Sequence, residues 1–415
     1  MQIKDNRLTF QGYTADELLK EYGSPLFVYE EDMIRQRCRE LKNLVTSSNF
    51  LVKYSCKANN NVSILKIMRE EGMHVDAMSP GEIYIEMAAG YTPDEIMLVT
   101  NNVSVDEMRY AADRGILMSL DSVSQMETYG QMKRGGEVFV RINPGIGDGH
   151  HKKVMTGGKA KFGVMMEKCD EIKAAAEKYD LKIIGLNMHV GSLFMEYEKY
   201  IEAVNILLDF SKNFDGLQYI DFGGGFGIPY NKKEEKRFPI EEFSKAFDQL
   251  LLDWRTENGI EKEDITFIIE PGRYPVAESG AILGTVHSIK ENYGTKYIGT
   301  DIGFNVLIRP AMYDSYHEVV ICNNVESGDV GEATVSGNIC ESGDLLCKGR
   351  SLPKVNVGDP IAVLDAGAYG YSMSSNYNAR LRPAEVLIGS DGSVRVIRER
   401  EDFEVLLRGQ VDKRI

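Results

Sequence analysis

The sequence predicts an α/β protein: a TIM-like (β/α)8 barrel followed by an all-β barrel or sandwich domain. Three observations predict it. Between about residues 45 and 280, apolar β-rich runs alternate with helix-period stretches, and there are eight such runs, the number that closes a barrel. Polar or special residues gather where those runs end. Beyond about residue 280 the helical period fades into short β-like runs with turn signals.

The eight runs begin at Phe50, His74, Ile96, Ile116, Glu137, Ile183, Leu217 and Ile265. Between them lie stretches such as VSILKIMREEG, PGEIYIEMAAG and VDEMRYAADRG, each closed by a glycine that suits a helix C-terminus. An open doubly wound sheet is the competing fold. The barrel is favoured because Lys57, Ser79, Asn101, Asp121, Arg141, His189, Gly223 to Gly225 and Glu270 fall at strand ends, where barrels carry active sites. The connection from about 145 to 165 is long and rich in Gly, His and Lys, the texture of a functional lid. The C-terminal β domain is expected over 281–415, from runs such as AILGTVHSI, KYIGTDIG, HEVVICNN and SVRVIRE. Residues 1–34 carry RLTFQGY and PLFVYE and are expected to join that domain, leaving 35–280 as the barrel.

Composition bounds the function. At 415 residues with 43% apolar content, the chain can bury two sizeable cores. A formal charge of -15 argues against nucleic acid, which needs clustered Lys and Arg. The six cysteines form no CxxC pair, so a reducing compartment is expected. The polar start MQIKDNRLTFQGY has no signal-peptide core, and no apolar run approaches a membrane helix. A cytoplasmic protein without membrane or nucleic-acid partners is the expectation.

Six stretches carry chemistry. Lys57 in YSCKAN sits at a strand end, where partial desolvation lowers an amine's pKa and frees its lone pair for a Schiff base; most lysines are solvated surface charges. DFGGGFG places Gly223, Gly224 and Gly225 after the seventh run, where barrels often cradle phosphate, though a tight turn explains the glycines equally well. Pro229 follows too closely for a dinucleotide fingerprint. EPGR (Glu270, Pro271, Gly272, Arg273) offers a carboxylate for a protonated ring nitrogen and a guanidinium for an anion, or a structural ion pair. CESGD holds Cys340, Glu341 and Asp344, a thiol beside carboxylates; a buried structural cysteine is the commoner case. Arg309, Tyr313 and Tyr369 complete the candidates, each structural if taken alone. The pair His150–His151 has no third ligand at suitable spacing, so no metal is expected.

Taken in order, YSCKAN, VDAMSPGE, RINPG, TGGKAKFG, HVGS, DFGGGFG, EPGR, DIGFNVLIRPAMYD, CESGD and GAYGYSMSSNYNARLRPAEV resemble the diaminopimelate decarboxylases. These are pyridoxal-phosphate enzymes of the alanine-racemase-like fold group. The resemblance spans nearly the whole chain. It implies pyridoxal 5'-phosphate held by Lys57, with His189 stacking on the ring and Ser192 near the phosphate. Gly225, Glu270, Pro271, Gly272 and Arg273 are implied as further cofactor contacts, Glu270 facing the ring nitrogen. Arg273, Arg309, Tyr313 and Glu341 are implied as substrate contacts, Tyr369 as a contact to both, and Cys340 as the proton donor. The implied reaction takes meso-diaminopimelate to L-lysine and carbon dioxide, the last step of lysine biosynthesis. A homodimer with shared sites is implied, because in the family the Cys340–Glu341 loop reaches the neighbouring subunit. Ala160 departs from the family, which usually carries serine before Lys161-Phe162-Gly163.

The first rival is an ornithine- or lysine-type decarboxylase. Glu341 after the cysteine, where that type resembles this chain with aspartate, favours diaminopimelate. A racemase of the same fold group sets an arginine against the ring nitrogen, which Glu270 opposes. A non-catalytic relative would be free to lose Lys57, Glu270 or Cys340, and all three are present.

Overall fold

The computed structural model describes residues 1–149, 157–328 and 330–411. His150 and His151 lie outside the described residues. The chain divides into two compact units: Arg35–Pro229 with Lys236–Pro275, and Met1–Ile34 with Tyr230–Glu235 and Val276–Ile415.

The first unit is the barrel. Its strands are β1 (Asn49–Ser55), β2 (His74–Ala77), β3 (Ile96–Val99), β4 (Leu117–Leu120), β5 (Glu137–Asn143), β6 (Lys182–Asn187), β7 (Tyr219–Asp221) and β8 (Thr266–Ile269). Each pairs in parallel with the next, and β8 pairs with β1 to close the ring. All eight C-terminal ends therefore share one rim, which is what gathers residues distant in sequence. The intervening helices form because their starts are capped: Ser79, Ser104 and Ser122 each accept a backbone N–H of the first turn. Gly72, Gly90 and Gly115 just past helix ends take positive φ, as the sequence pattern expects.

A cluster drawn from strands all round the ring fills the barrel's lower interior: Met97, Val99, Phe139, Ile184 and Ile268, with Leu51, Leu117 and Tyr219 against them. Strand alternation then sets the layer above. Lys53 and Ser55 share the face of Leu51, so both point inward, and Ser55 Oγ lies 2.8 Å from Asp76 Oδ2. The inner face thus changes from apolar to ionisable toward the C-terminal rim.

The second unit is β-rich. Its path runs Leu345–Leu352, Gly331–Ser336, Thr295–Thr300, Gly280–Asn292, Leu26–Glu30, Ala384–Ile388 and Val394–Arg398. The 13-residue strand Gly280–Asn292 pairs along one half with Leu26–Glu30 and Pro360–Val363, and along the other with Thr295–Thr300. Leu26, Val28, Ala281, Leu283, Ala384, Val386 and Ile388 make one core with Leu8, Phe10 and Leu18. Among the elements outside the sequence-based expectation are the strands Leu345–Leu352 and Ala384–Ile388, the short helix Arg309–Tyr313, and the helix Ala15–Tyr22 with its Thr14–Glu17 capping box.

Candidate active site

Lys57 stands two residues beyond β1, on the 3-10 turn Cys56–Ala58 rather than on the strand itself. Tyr54 Oη donates to Asn59 O at 3.1 Å and fixes the turn. The lysine is half-buried, its Nζ 3.9 Å from Met78 Sδ.

Glu270 follows β8 directly. Its backbone N–H donates to Gly223 O at 2.9 Å, and its side chain is buried, with Oε1 lacking any hydrogen-bond partner. Burial pushes its carboxyl up to about 8; the nearby Asp221 carboxylate adds to this, while Lys57 and Arg141 oppose it. Asp221 accepts from Gly223 N at 2.9 Å through Oδ1, and its Oδ2 has no partner. Burial raises it to about 6, against the pull of the Gly223 N–H and Lys53. Burial thus shifts both carboxyls of the pair toward the protonated form. Asp76 is raised well above its ordinary value, by burial and then by Glu270. Lys53 is only 4% exposed, lowered by burial and upheld by Asp221, Glu270, Asp76 and Glu86 in that order. Sequence reasoning missed Lys53, Asp76 and Asp221. Inward placement by strand alternation was the available signal for Lys53.

His189 follows β6, and Gly224 N donates to its Nδ1 at 3.1 Å. The ring is thus neutral with its proton on Nε2, and burial, then Lys57 and Arg141, hold its pKa well below the ordinary value. The three glycines are required by close approach. A Cβ on Gly223 would sit 2.3 Å from Met188 O, one on Gly224 2.0 Å from Glu270 O, and one on Gly225 2.2 Å from Phe194 Cε2. Arg273 Nη2 donates to Ser192 Oγ at 2.9 Å, so these two candidates stand together.

The 157–163 segment is tied to the same rim. Asn143 Oδ1 accepts from Gly145 N and Gly158 N, and its Nδ2 donates to Gly158 O and Phe162 O. Gly163 N donates to Asp121 Oδ1 at 2.9 Å and Lys161 Nζ to Asn101 Oδ1 at 2.7 Å. None of these contacts uses the side chain of position 160.

The remaining candidates belong to the β-rich unit. Arg309 opens the short helix Arg309–Tyr313 and is buried, with Tyr313 half-buried at its end. Cys340 and Glu341 are exposed, so Cys340 is not the buried structural cysteine that its type favours. Their loop is shaped from below: buried Asp344 accepts from Phe304 N at 2.6 Å and Ile339 N at 2.7 Å, and Asn378 Oδ1 accepts from Cys340 N at 2.7 Å. Tyr369 holds a φ of 57°, a left-handed conformation costly for an aromatic residue. The structure thus brings Lys57, His189, Ser192, Gly225 and Glu270 to Arg273 onto one barrel rim, and places Arg309, Tyr313, Cys340, Glu341 and Tyr369 in the other unit.

On the rim, an unsatisfied buried carboxylate oxygen, a neutral imidazole, an amine and a glycine cradle fit the ring nitrogen, ring face, aldehyde and phosphate of a pyridoxal cofactor. Residues 31–277 match the family model for the pyridoxal binding domain of pyridoxal-dependent decarboxylases. The fold and the rim are therefore those of a pyridoxal-dependent decarboxylase. A diaminopimelate decarboxylase from Methanothermobacter thermautotrophicus is 42% identical over 99% of this chain and 97% of its own length. Its Escherichia coli K12 counterpart is 34% identical over 95% and 96%. The crystal structure of diaminopimelate decarboxylase from Methanocaldococcus jannaschii in complex with L-lysine superposes with a TM-score of 0.88 at 32% identity, covering 99% and 98% of the two chains. The chain belongs to the diaminopimelate decarboxylases. Among the described residues no helix is long and apolar enough to cross a membrane.

Proposed function

We propose that the protein converts meso-diaminopimelate to L-lysine and carbon dioxide, using the rim described above. The observation that carries this reading is the buried Glu270 carboxyl, with its open oxygen, on the same rim as the Lys57 amine. Bound pyridoxal 5'-phosphate supplies an electron sink for the pair left behind when carbon dioxide departs.

Lys57 supplies the amine that anchors the cofactor. Glu270, its carboxyl raised by burial and then by Asp221, would face the ring nitrogen. His189, kept neutral, presents its ring face without adding charge. Ser192, Gly225, Pro271, Gly272 and Arg273 complete the cofactor contacts, with Tyr369. Arg273, Arg309, Tyr313 and Glu341 recognise the end of the substrate that does not react: a carboxylate suits the guanidinium groups, an ammonium suits Glu341. Cys340 delivers a proton to the α-carbon. The exposure of Cys340 and Glu341 on a single chain supports their action in a neighbouring subunit's site, hence a homodimer. A cytoplasmic setting belongs to this reading and rests on cysteine usage.

The test is the absorption spectrum of purified protein, followed by meso-diaminopimelate addition and product detection. A band near roughly 420 nm, absent in Lys57→Ala, with release of L-lysine and carbon dioxide, is the expected result. A band without L-lysine release moves the substrate to an ornithine- or lysine-type amino acid. No band after adding pyridoxal phosphate overturns the enzyme reading.

A further inference from the structure

Arg309 is 2% exposed and His317 is fully buried. Arg309 Nη1 lies 2.7 Å from His317 Nε2, and His317 Nδ1 lies 2.8 Å from the carbonyl oxygen of Leu364. A guanidinium only donates, so Nε2 must present its lone pair. A carbonyl oxygen only accepts, so Nδ1 must carry the proton. Both ring nitrogens are thereby committed, and the imidazole is neutral in one tautomer. Tyr230 packs against the same pair: the Arg309 Cζ is 4.5 Å from its ring centroid, and the His317 ring meets it edge-on at 5.0 Å.

These partners have something in common. An imidazole lone pair and an aromatic face both orient a guanidinium, and neither cancels its charge. A carboxylate in the same place would neutralise it. We infer that His317 is a positioning residue: it holds Arg309 in one orientation for the substrate carboxylate that is not lost. This rests on the reading of Arg309 as a substrate contact. His317 itself need not touch substrate.

Two substitutions separate the ring's two bonds. In His317→Gln the amide oxygen reaches about as far as Nε2 and still accepts from Arg309. In His317→Asn the amide nitrogen reaches about as far as Nδ1, keeping the Leu364 bond and losing the acceptor. The ligands are L-lysine, which retains the carboxylate, and 1,5-diaminopentane, which lacks it. In holoenzyme, His317→Asn is expected to raise KM for meso-diaminopimelate and the inhibition constant of L-lysine about tenfold, the scale of one charge-assisted hydrogen bond. Inhibition by 1,5-diaminopentane should change less than about twofold and kcat less than about threefold, since the lost bond serves the carboxylate alone. His317→Gln should recover most of the loss.

A His317→Asn enzyme like wild type overturns the inference. So does one that weakens both ligands equally, or a Gln variant as impaired as the Asn variant, because a merely structural histidine behaves in those ways. The tautomer is also tested without substitution, by the imidazole nitrogen resonances of the wild-type holoenzyme: a protonated Nε2 at His317 overturns the inference. Wild-type protein that releases no L-lysine overturns the substrate reading and the inference with it. L-lysine release with an indifferent His317→Asn overturns the inference alone.

Discussion

The two units solve opposite electrostatic problems. The barrel rim buries acids: Asp76, Asp221 and Glu270 stand close together with an oxygen each unsatisfied, and burial raises all three. The β-rich unit buries a base, Arg309, and sets a histidine lone pair and a tyrosine face against it. A buried acid group with open oxygens suits a positive partner, and a guanidinium oriented by an imidazole and an aromatic ring suits a negative one. The first suits a protonated ring nitrogen, the second a carboxylate. Charge sign and the chemistry of the neighbours, more than residue type, set the two regions apart.

Of the buried acids, Glu270 carries the strongest expectation. Glu270→Gln should lower kcat by about 10²–10³ while leaving KM nearly unchanged, the size of one electrostatic stabiliser acting in the transition state. The same substitution carries a stability signature in cofactor-free protein. The folded pKa of Glu270, about 8, lies above its ordinary 4.5, so its protonated form stabilises the fold below about 4.5 and that contribution is lost as pH rises through about 8. Thermal melts of wild type should therefore lose ground to Glu270→Gln across that window. Parallel curves would show that the acid group is not where the barrel's charge demand resides.

Gly224→Ala comes next. Its Cβ would meet Glu270 O at 2.0 Å, so backbone must shift, at a cost of about 1–3 kcal/mol by analogy with overpacked cores, together with weaker cofactor retention. Denaturant melts and cofactor dissociation measure both. In the other unit, Arg309→Lys keeps the charge and loses the fork. KM should rise about tenfold with kcat little changed; an unaltered KM would remove the carboxylate from this side of the comparison. The smallest effect is Lys161→Met, which removes an exposed bond to Asn101 and should cost less than about 0.5 kcal/mol in a chemical melt.

Much of this was legible in the sequence, for identifiable reasons. Barrel strands end in residues that the core would not tolerate, so Lys57, His189 and Glu270 announce themselves by position. The strand Ala384–Ile388 was hidden because AEVLI adjoins a polar, loop-like stretch, and Leu345–Leu352 because Lys348 and Arg350 break its apolar run. The Ala15–Tyr22 helix had a readable signal, since Thr14 and Glu17 are spaced as a capping box. Lys53 reads as a surface charge until neighbouring strands show that its side of β1 is the inside. His317 is invisible for a different reason. Its meaning depends on a carbonyl 47 residues away and on the ring of Tyr230, neither marked by any local pattern.

The placement of Leu26–Glu30 between Gly280–Asn292 and Ala384–Ile388 has a consequence for synthesis of the chain. The strand leaves the ribosome before the barrel, yet both of its neighbours are made after it. Throughout that interval LFVYE is an apolar strand with two unpaired edges, the kind of segment that other chains pair with. The barrel strands find their neighbours in the order they are made and close with β8, while the β-rich sheet must wait for residues near 388. Leu26–Glu30 therefore stays without its last strand partner until residues near 388 are made.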